Sequence, residues 1–363
     1  SSAASDVYKR QGQNSSPFID AAGDTVDMSA LAVADFSNKI VVNPLYLTKV
    51  AAGEPGYGYA IDGAAADDLS GRSVVSIGDV NGDGLDDVLV GAPQNDAGGT
   101  DAGRAYVVFG KTDGTLAKLS DVAAGNGGFA ITGATAAGKI GAALSAAGDV
   151  NGDGLADFII GDASANGGAG AAYVVFGKAS TSAVSLAAVA SGSGGFAING
   201  ATAGDKAGQS VSGGSDINGD GFDDLVVGAY GVDFSGTVKD SGATYVVFGK
   251  ASTTAVNLAT LGTGGFAVVS NMVNKDIGAN YADSAYTYSG YTVTALGDVN
   301  GDGLADLGLT APLADAAGIR YDAGKAYIVY GSKATTTINL SDVEKGVGGF
   351  AIQGTAQSHL GLS

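Results

Sequence analysis

A nine-residue stretch, 79–87, places an oxygen-bearing group at every second position. Its odd positions are occupied by Asp79, Asn81, Asp83, Leu85 and Asp87. Four side chains and the main-chain carbonyl of the seventh position form a ladder of oxygen ligands, which is the ligand type that Ca²⁺ takes on a flexible loop. The glycines between these residues allow the backbone to turn sharply around an ion. The stretch therefore predicts a cation site.

The same pattern occurs three more times, at 149–157, 216–224 and 298–306. Calcium is favoured over magnesium because five protein oxygens on a flexible loop suit the larger and less demanding ion. We therefore expect about four Ca²⁺ ions. The other predicted ligands are Asp149, Asn151, Asp153, Leu155 and Asp157, then Asp216, Asn218, Asp220, Phe222 and Asp224, then Asp298, Asn300, Asp302, Leu304 and Asp306, with Leu155, Phe222 and Leu304 acting through their carbonyls.

The loops differ from helical calcium motifs in where their last acid lies. EF-hand and dockerin loops need a carboxylate at the twelfth position and continue into a helix. Here the twelfth positions are apolar, namely Val90, Ile160, Val227 and Leu309. The loop is therefore predicted to be the tip of a hairpin between two strands, with a structural ion and no substrate. The alternative is an Asx-rich turn that binds no metal.

The segments between the loops predict strands and no long helix. They are rich in β-branched and aromatic residues and are separated by Gly, Asn and Asp clusters. Third segments recur almost unchanged, as in Tyr106-Val-Val-Phe109 and Tyr173-Val-Val-Phe176. Four strands per unit of about 70 residues, repeated in tandem, are typical of β-propeller blades. We predict an all-β propeller of four-stranded antiparallel blades.

These repeats resemble the FG-GAP repeat, which builds the integrin α-chain propeller and also occurs in bacterial secreted and surface proteins. The resemblance rests on Gly71-Arg-Ser73, the acidic loop and Gly91-Ala-Pro93. The Gly- and Ala-rich copies look most like the bacterial type. The resemblance implies a calcium-stabilised propeller with ligands bound on the face opposite the metal loops. Gly-Ala-Pro is only partly kept in the other copies, and the family's usual ring has seven blades where four are counted here.

We expect residues 1–19 to be a non-native or disordered segment and residues 20–363 to form the propeller. The complete blades are predicted at about 71–133, 141–200, 208–270 and 290–354, with partial blades at both ends. The opening residues 1–11 look like translated adapter sequence. Residues 57–61 resemble a lone fourth strand, and the last four residues resemble the start of a first strand. We therefore expect a fragment of a seven-bladed ring, and the alternative is a closed ring of four blades.

Charge and composition restrict the function. The net charge is −19, of which three aspartates in each of four loops account for −12. This argues against nucleic acid and anionic membrane as partners. No cysteine is present, and no apolar run is long enough to span a membrane. A phosphate-loop-like run ends in Lys139-Ile140 where a hydroxyl residue is needed, and the single histidine, His359, has no catalytic partner pattern. We expect no enzymatic activity in this chain.

The resemblance implies that ligands bind on the face opposite the calcium loops. Alternate connections of an antiparallel blade lie on opposite faces, so the connections between strands two and three and those between blades are expected on that face. An insertion of 12 residues within 270–290 enriches this face in tyrosine, an interface residue. The predicted contact residues are Tyr281, Tyr286, Tyr288, Arg320 and Tyr321. The alternative is that these tyrosines only cap a blade edge.

The predicted function is that of an extracellular or cell-surface (secreted) adhesion or ligand-binding module for a protein or glycan. The alternatives are an accessory propeller of a larger secreted hydrolase and a structural spacer.

Overall fold

The computed structural model describes residues 58–234, 239–271, 287–314 and 323–355, with shorter stretches at 32–35, 38–41, 49–50 and 52–53 and residues 358, 360 and 361. The chain divides into two compact units, one of residues 1–60 with 113–116 and one of residues 61–112 with 117–363. In the first unit, strands β1 (Ala32–Asp35) and β2 (Asn38–Val41) pair in antiparallel fashion.

The second unit contains the acidic loops and the strands between them. In chain order its strands are β3 (Ile61–Asp62), β4 (Val74–Gly78), β5 (Asp87–Ala92), β6 (Arg104–Val108), β7 (Ala117–Lys118), β8 (Gly128–Thr132), β9 (Ala143–Gly148), β10 (Asp157–Asp162), β11 (Ala171–Val175), β12 (Val184–Ser185), β13 (Gly195–Asn199), β14 (Ser210–Ser215), β15 (Asp224–Ala229), β16 (Ala243–Val247), β17 (Val256–Asn257), β18 (Gly265–Val269), β19 (Val293–Ala295), β20 (Leu307–Ala311), β21 (Lys325–Val329), β22 (Ile338–Asn339) and β23 (Gly349–Gln353). Its short helices are α1 (Leu119–Ala123), α2 (Ala165–Gly168), α3 (Leu186–Ala190) and α4 (Leu340–Val343), with a 3-10 turn at Leu258–Thr260.

Four sheets share one antiparallel order. They are β4-β5-β6-β8, β9-β10-β11-β13, β14-β15-β16-β18 and β19-β20-β21-β23. Each second strand is almost wholly buried, as expected for an apolar run covered on both faces. The all-β prediction and the four-stranded antiparallel blade are confirmed. Every helix in the described residues is only a turn or so long, which is why none showed a helical period.

A fifth, two-residue strand was not predicted. It lies in the connection between the third and fourth strands and pairs in parallel with the outer strand of the preceding sheet. The pairs are Ile131 with Val184, Ile198 with Val256, and Val268 with Ile338. Strand β3 pairs in the same way with β7, through Ile61 and Ala117. Residue 57, the start of the expected lone fourth strand, lies outside the described residues.

This fifth strand helps to bury the core between neighbouring sheets. The phenylalanines of the first three outer strands, Phe129, Phe196 and Phe266, are at most 1% exposed. Among the described residues β23 has no fifth strand beside it. Its equivalent side chains, Phe350 and Ile352, are 39% and 48% exposed. Burial of an outer strand therefore depends on the repeat that follows it.

The structure explains the Gly of the Gly-Ala-Pro motif by close backbone contact. A Cβ atom on Gly91 would lie 1.9 Å from the carbonyl oxygen of Gly141, which begins the next repeat. A Cβ atom on Gly161 would likewise clash with the carbonyl oxygen of Gly208. The fourth repeat has Thr310 instead, and its hydroxyl donates a 2.8 Å hydrogen bond to the carbonyl of a C-terminal glycine. The motif is therefore a packing requirement between repeats.

Candidate metal centres

Each acidic loop joins the first and second strands of its sheet, so the predicted hairpin is observed. Asp79, at the first position, accepts backbone hydrogen bonds across the loop. Its Oδ1 accepts the N–H of Gly82 at 2.7 Å and of Asp83 at 3.1 Å, and its Oδ2 accepts the N–H of Gly84 at 2.8 Å. The other three loops repeat this arrangement. These N–H groups, that of Gly84 above all, lower the pKa of Asp79.

The third and fifth positions are joined by side-chain hydrogen bonds. Asn81 Nδ2 donates to Asp83 Oδ2 at 2.9 Å, and Asn81 Oδ1 accepts the N–H of Asp83 at 2.8 Å. The second and fourth loops have both bonds. In the third loop Asn218 Oδ1 is buried and has no hydrogen-bond partner within the described part of the chain. An orphaned oxygen at a predicted ligand position fits a cation site.

The ninth-position aspartate has a role that sequence reasoning missed. Asp87 is fully buried, and both of its oxygens accept backbone N–H groups. Oδ2 accepts from Val80 at 2.9 Å within the loop, and Oδ1 accepts from Gly110 at 2.7 Å after the third strand. The other three loops have the same pair of bonds, made by Asp157, Asp224 and Asp306.

We call this pair of hydrogen bonds to the ninth-position aspartate the clasp. The sequence did carry a signal for it, namely the glycine that ends each Tyr-Val-Val-Phe-Gly run. A Cβ atom on Gly110 would lie 2.6 Å from the carbonyl oxygen of Asp86. Only glycine lets the chain come close enough for its N–H to reach the carboxylate. The clasp therefore ties each loop to the end of the third strand.

Burial raises the pKa of three clasp aspartates, Asp87, Asp157 and Asp224. It raises the pKa of Asp157 and of Asp224 to about 7, although backbone N–H groups act in the opposite direction. The pKa of Asp87 is also raised, chiefly by burial. Proton binding to Asp157 and Asp224 should therefore compete with any cation near neutral pH.

The raised pKa values of Asp157 and Asp224 predict that the metal-free protein loses stability as pH rises from 5 to 8. Between the ordinary value of 3.8 and about 7, the folded chain holds protons on Asp157 and Asp224 that the unfolded chain has released. The free energy of unfolding must then fall with rising pH. The melting temperature of metal-free protein at the two pH values measures this. The double variant D157N/D224N should lose most of the trend, and a melting temperature that rises with pH would contradict it.

The loop oxygens fit calcium by chemistry. None of the ion pairs recorded among the described residues involves a loop carboxylate, so these ion pairs do not balance the negative charge of the loops. In the described ranges no three acidic or histidine side chains are drawn together tightly enough to form a metal cluster. The side chains are engaged with backbone N–H groups, and the calcium sites remain a prediction.

The loops of the blades fall into two groups. One connection leads from the fourth strand of a sheet to the first strand of the next sheet. It is hydrogen-bonded to the connection between strands two and three. Examples are the N–H of Ile140 to the carbonyl of Ala102, at 3.1 Å, and the N–H of Lys139 to that of Asp101, at 3.0 Å. The acidic loops instead bond to the start of the connection between strands three and four, through the clasp. The two groups lie at opposite ends of the strands.

An aromatic cluster lies at the end away from the acidic loops. The ring of Tyr230, just after β15, packs edge to face on Tyr288 at 5.2 Å between centroids and lies 5.7 Å from Tyr291. All three side chains are partly exposed. The other predicted contact residues, Tyr281, Tyr286, Arg320 and Tyr321, lie outside the described residues. Sequence analysis did not include Tyr230 among the predicted contact residues, although it begins the connection that follows β15.

A cavity of about 450 Å³ opens near this cluster. Asp205, Asp233, Lys239, Asp240 and Tyr245 are among its lining residues. Lys239 pairs with Asp233 at 2.5 Å. The lining is polar and carries more acidic than basic side chains.

No helix in the part of the chain that the structure describes has the length and apolar character needed to cross a membrane.

Comparison with known proteins identifies the repeats. The FG-GAP repeat family matches residues 70–108, 207–247 and 277–329, which contain the first, third and fourth acidic loops. The second loop lies between the first two matches and has the same strands and hydrogen bonds.

Curated relatives include integrin alpha-PS2 of Drosophila melanogaster, 35% identical over 167 residues, which are 43% of this chain and 11% of that protein. Integrin alpha-5 of Xenopus laevis is 30% identical over 223 residues, covering 56% of this chain and 20% of that protein. The chain thus spans at most a fifth of the length of these two relatives. The matched segments are FG-GAP repeats, and over part of its length the chain is similar to integrin α chains.

Proposed function

We propose that this chain is a calcium-stabilised, extracellular adhesion or ligand-binding module. The similarity of its FG-GAP repeats to integrin α chains carries the proposal. No catalytic role is proposed for any residue. Binding is assigned to the surface around Tyr230, Tyr288 and Tyr291, at the end of the blades away from the acidic loops.

Calcium acts here as a structural ion. Each loop would hold it through the carboxylates of its first, fifth and ninth residues, the amide oxygen of its third and the carbonyl of its seventh. The ion would neutralise loop aspartates that the ion pairs recorded among the described residues do not balance. A site with a dissociation constant near 10 µM would be filled outside cells, where calcium is about millimolar. This accords with an extracellular or cell-surface location.

The aromatic cluster has the features of a contact surface. Tyrosine offers a large apolar ring with a polar tip, and it is enriched where proteins bind partners. Phe234, four positions after Tyr230 in the same connection, is 48% exposed and offers a further apolar side chain. The acidic cavity beside the cluster offers hydrogen-bond acceptors for a protein or glycan ligand.

A screen of the calcium-loaded chain against glycans and matrix proteins tests the proposal. For a ligand found in this way, the double variant Tyr230→Ala with Tyr288→Ala should weaken binding by about tenfold or more, since buried aromatic anchors dominate interface energies. Val347→Ala is the control, because Val347 is 64% exposed and lies in a connection between strands three and four, away from the cluster. A melting curve checks that each variant folds. Equal binding by both variants would refute the assigned surface, and a screen with no ligand would favour the spacer.

A further inference from the structure

Neighbouring acidic loops are hydrogen-bonded to each other. The eighth residue of one loop donates its N–H to the carbonyl of the first residue of the preceding loop. The three observed pairs, donor first, are Ala156 to Asp79 at 3.0 Å, Asp223 to Asp149 at 3.3 Å and Ala305 to Asp216 at 3.0 Å. The eighth position is not a predicted ligand, so this contact is independent of metal coordination.

Asp223 adds a second bond that the other pairs lack. Its Oδ2 accepts the N–H of Asp149 at 2.8 Å, so the two residues form a reciprocal pair across 74 positions of the chain. Alanine occupies the equivalent place in the second and fourth loops and has no oxygen to offer. In the first loop the eighth residue is Asp86, which is exposed and makes no recorded side-chain bond. In the second loop alone, therefore, the first residue bonds to the following loop through both its carbonyl and its N–H, among the three observed pairs.

The backbone around this bond fits the aspartate closely. Gly148 precedes Asp149 and has a φ of +70°. A Cβ atom there would lie 2.0 Å from Asp223 Oδ2. Asp223 is partly buried, and its carboxylate occupies the space that the missing side chain leaves.

We propose that Asp223 is a positioning residue for the calcium site of the second loop, although it belongs to the third. This rests on the proposed function, because it assumes that the second loop binds calcium. The bond to the N–H of Asp149 fixes the backbone of the first ligand before the ion arrives. It also brings a negative charge near the site without occupying a ligand position. Outer groups of this kind tune metal sites by orienting their ligands.

Loss of this bond should weaken the second site selectively. Removing an outer-shell partner typically costs about 10-fold or more in metal affinity, so Asp223→Ala should raise the calcium midpoint of the second loop about 10-fold. Asp223→Asn keeps an acceptor oxygen and should cost less. Asp86→Ala is the matched control, as it removes the same side chain at the same loop position without breaking a recorded bond.

Hydrogen–deuterium exchange with mass spectrometry resolves the loops separately in the intact chain. Peptides that cover 79–87, 149–157 and 216–224 would each give a calcium midpoint. We expect Asp223→Ala to shift the 149–157 midpoint far more than the 216–224 midpoint, and to speed exchange at the start of 149–157 in metal-free protein. Asp86→Ala should change neither.

Two outcomes would overturn the inference. One is a shift confined to 216–224, which would make Asp223 a local residue of its own loop. The other is an equal loss in the Ala and Asn variants, which would assign the effect to charge instead of positioning. Absence of calcium-dependent protection in the unsubstituted chain would refute the proposed function instead. Exchange in the metal-free protein would still decide whether Asp223 holds Asp149.

Discussion

Removal of calcium is expected to lower the melting temperature of the protein by about 20 °C, at about 2 °C per kcal/mol for a large domain. A site with a dissociation constant near 10 µM contributes about 2.7 kcal/mol in millimolar calcium, and four sites contribute on the order of 10 kcal/mol. The physical reason is repulsion among three carboxylates on each loop, which the ion converts into attraction. Thermal unfolding followed by circular dichroism, with chelator and then with added calcium, measures the effect.

Two controls sharpen this result. Magnesium at the same concentration should restore much less, because it demands a regular octahedron of ligands. A chain with Asp83, Asp153, Asp220 and Asp302 all replaced by Asn should melt near the chelated protein and should not respond to calcium. An unchanged melting curve after chelation would refute the calcium sites.

The substitution Asp157→Ala is expected to cost about 3 kcal/mol of the free energy of unfolding even without calcium, since it leaves two buried N–H groups unpaired. These groups belong to Val150 in the loop and to Gly177 after the third strand. Asp157 is fully buried, so water cannot replace the lost acceptor. Urea unfolding at pH 5 in chelator measures the change, because at pH 8 the charge on buried Asp157 would itself lower the stability of the unsubstituted chain.

Asp153→Ala is the matched control for the clasp. Asp153 is exposed at the fifth position of the same loop, and its bonds stay within the loop. In chelator this variant should lose well under half as much stability, whereas with calcium both variants lose a ligand. Equal losses in chelator would show that the ninth aspartate serves only as a ligand and not as a clasp.

Sequence reasoning predicted those features that repeat with a short period. The nine-residue loops, the four strands of each unit and the FG-GAP resemblance all follow from residues close together in the chain. The fifth strands were not predicted, because a strand of two residues is too short to show a period. Val184, for example, pairs with Ile131 in another repeat. Of the three tyrosines in the aromatic cluster, Tyr288 was predicted as a contact residue, whereas Tyr230 and Tyr291 were not.

The loop spacing, and with it the predicted ligand set, follows from the sequence alone, because a nine-residue turn is built from local bonds such as that of Gly84 to Asp79. Only the tertiary structure decided which carboxylates also accept hydrogen bonds from distant parts of the chain. Asp157 reaches the end of a strand 20 residues later, and Asp223 reaches the preceding loop 74 residues away. Such contacts depend on how one sheet stacks on the next. Local spacing carries no information about that stacking, so the clasp and the contact between loops became visible only in the folded chain.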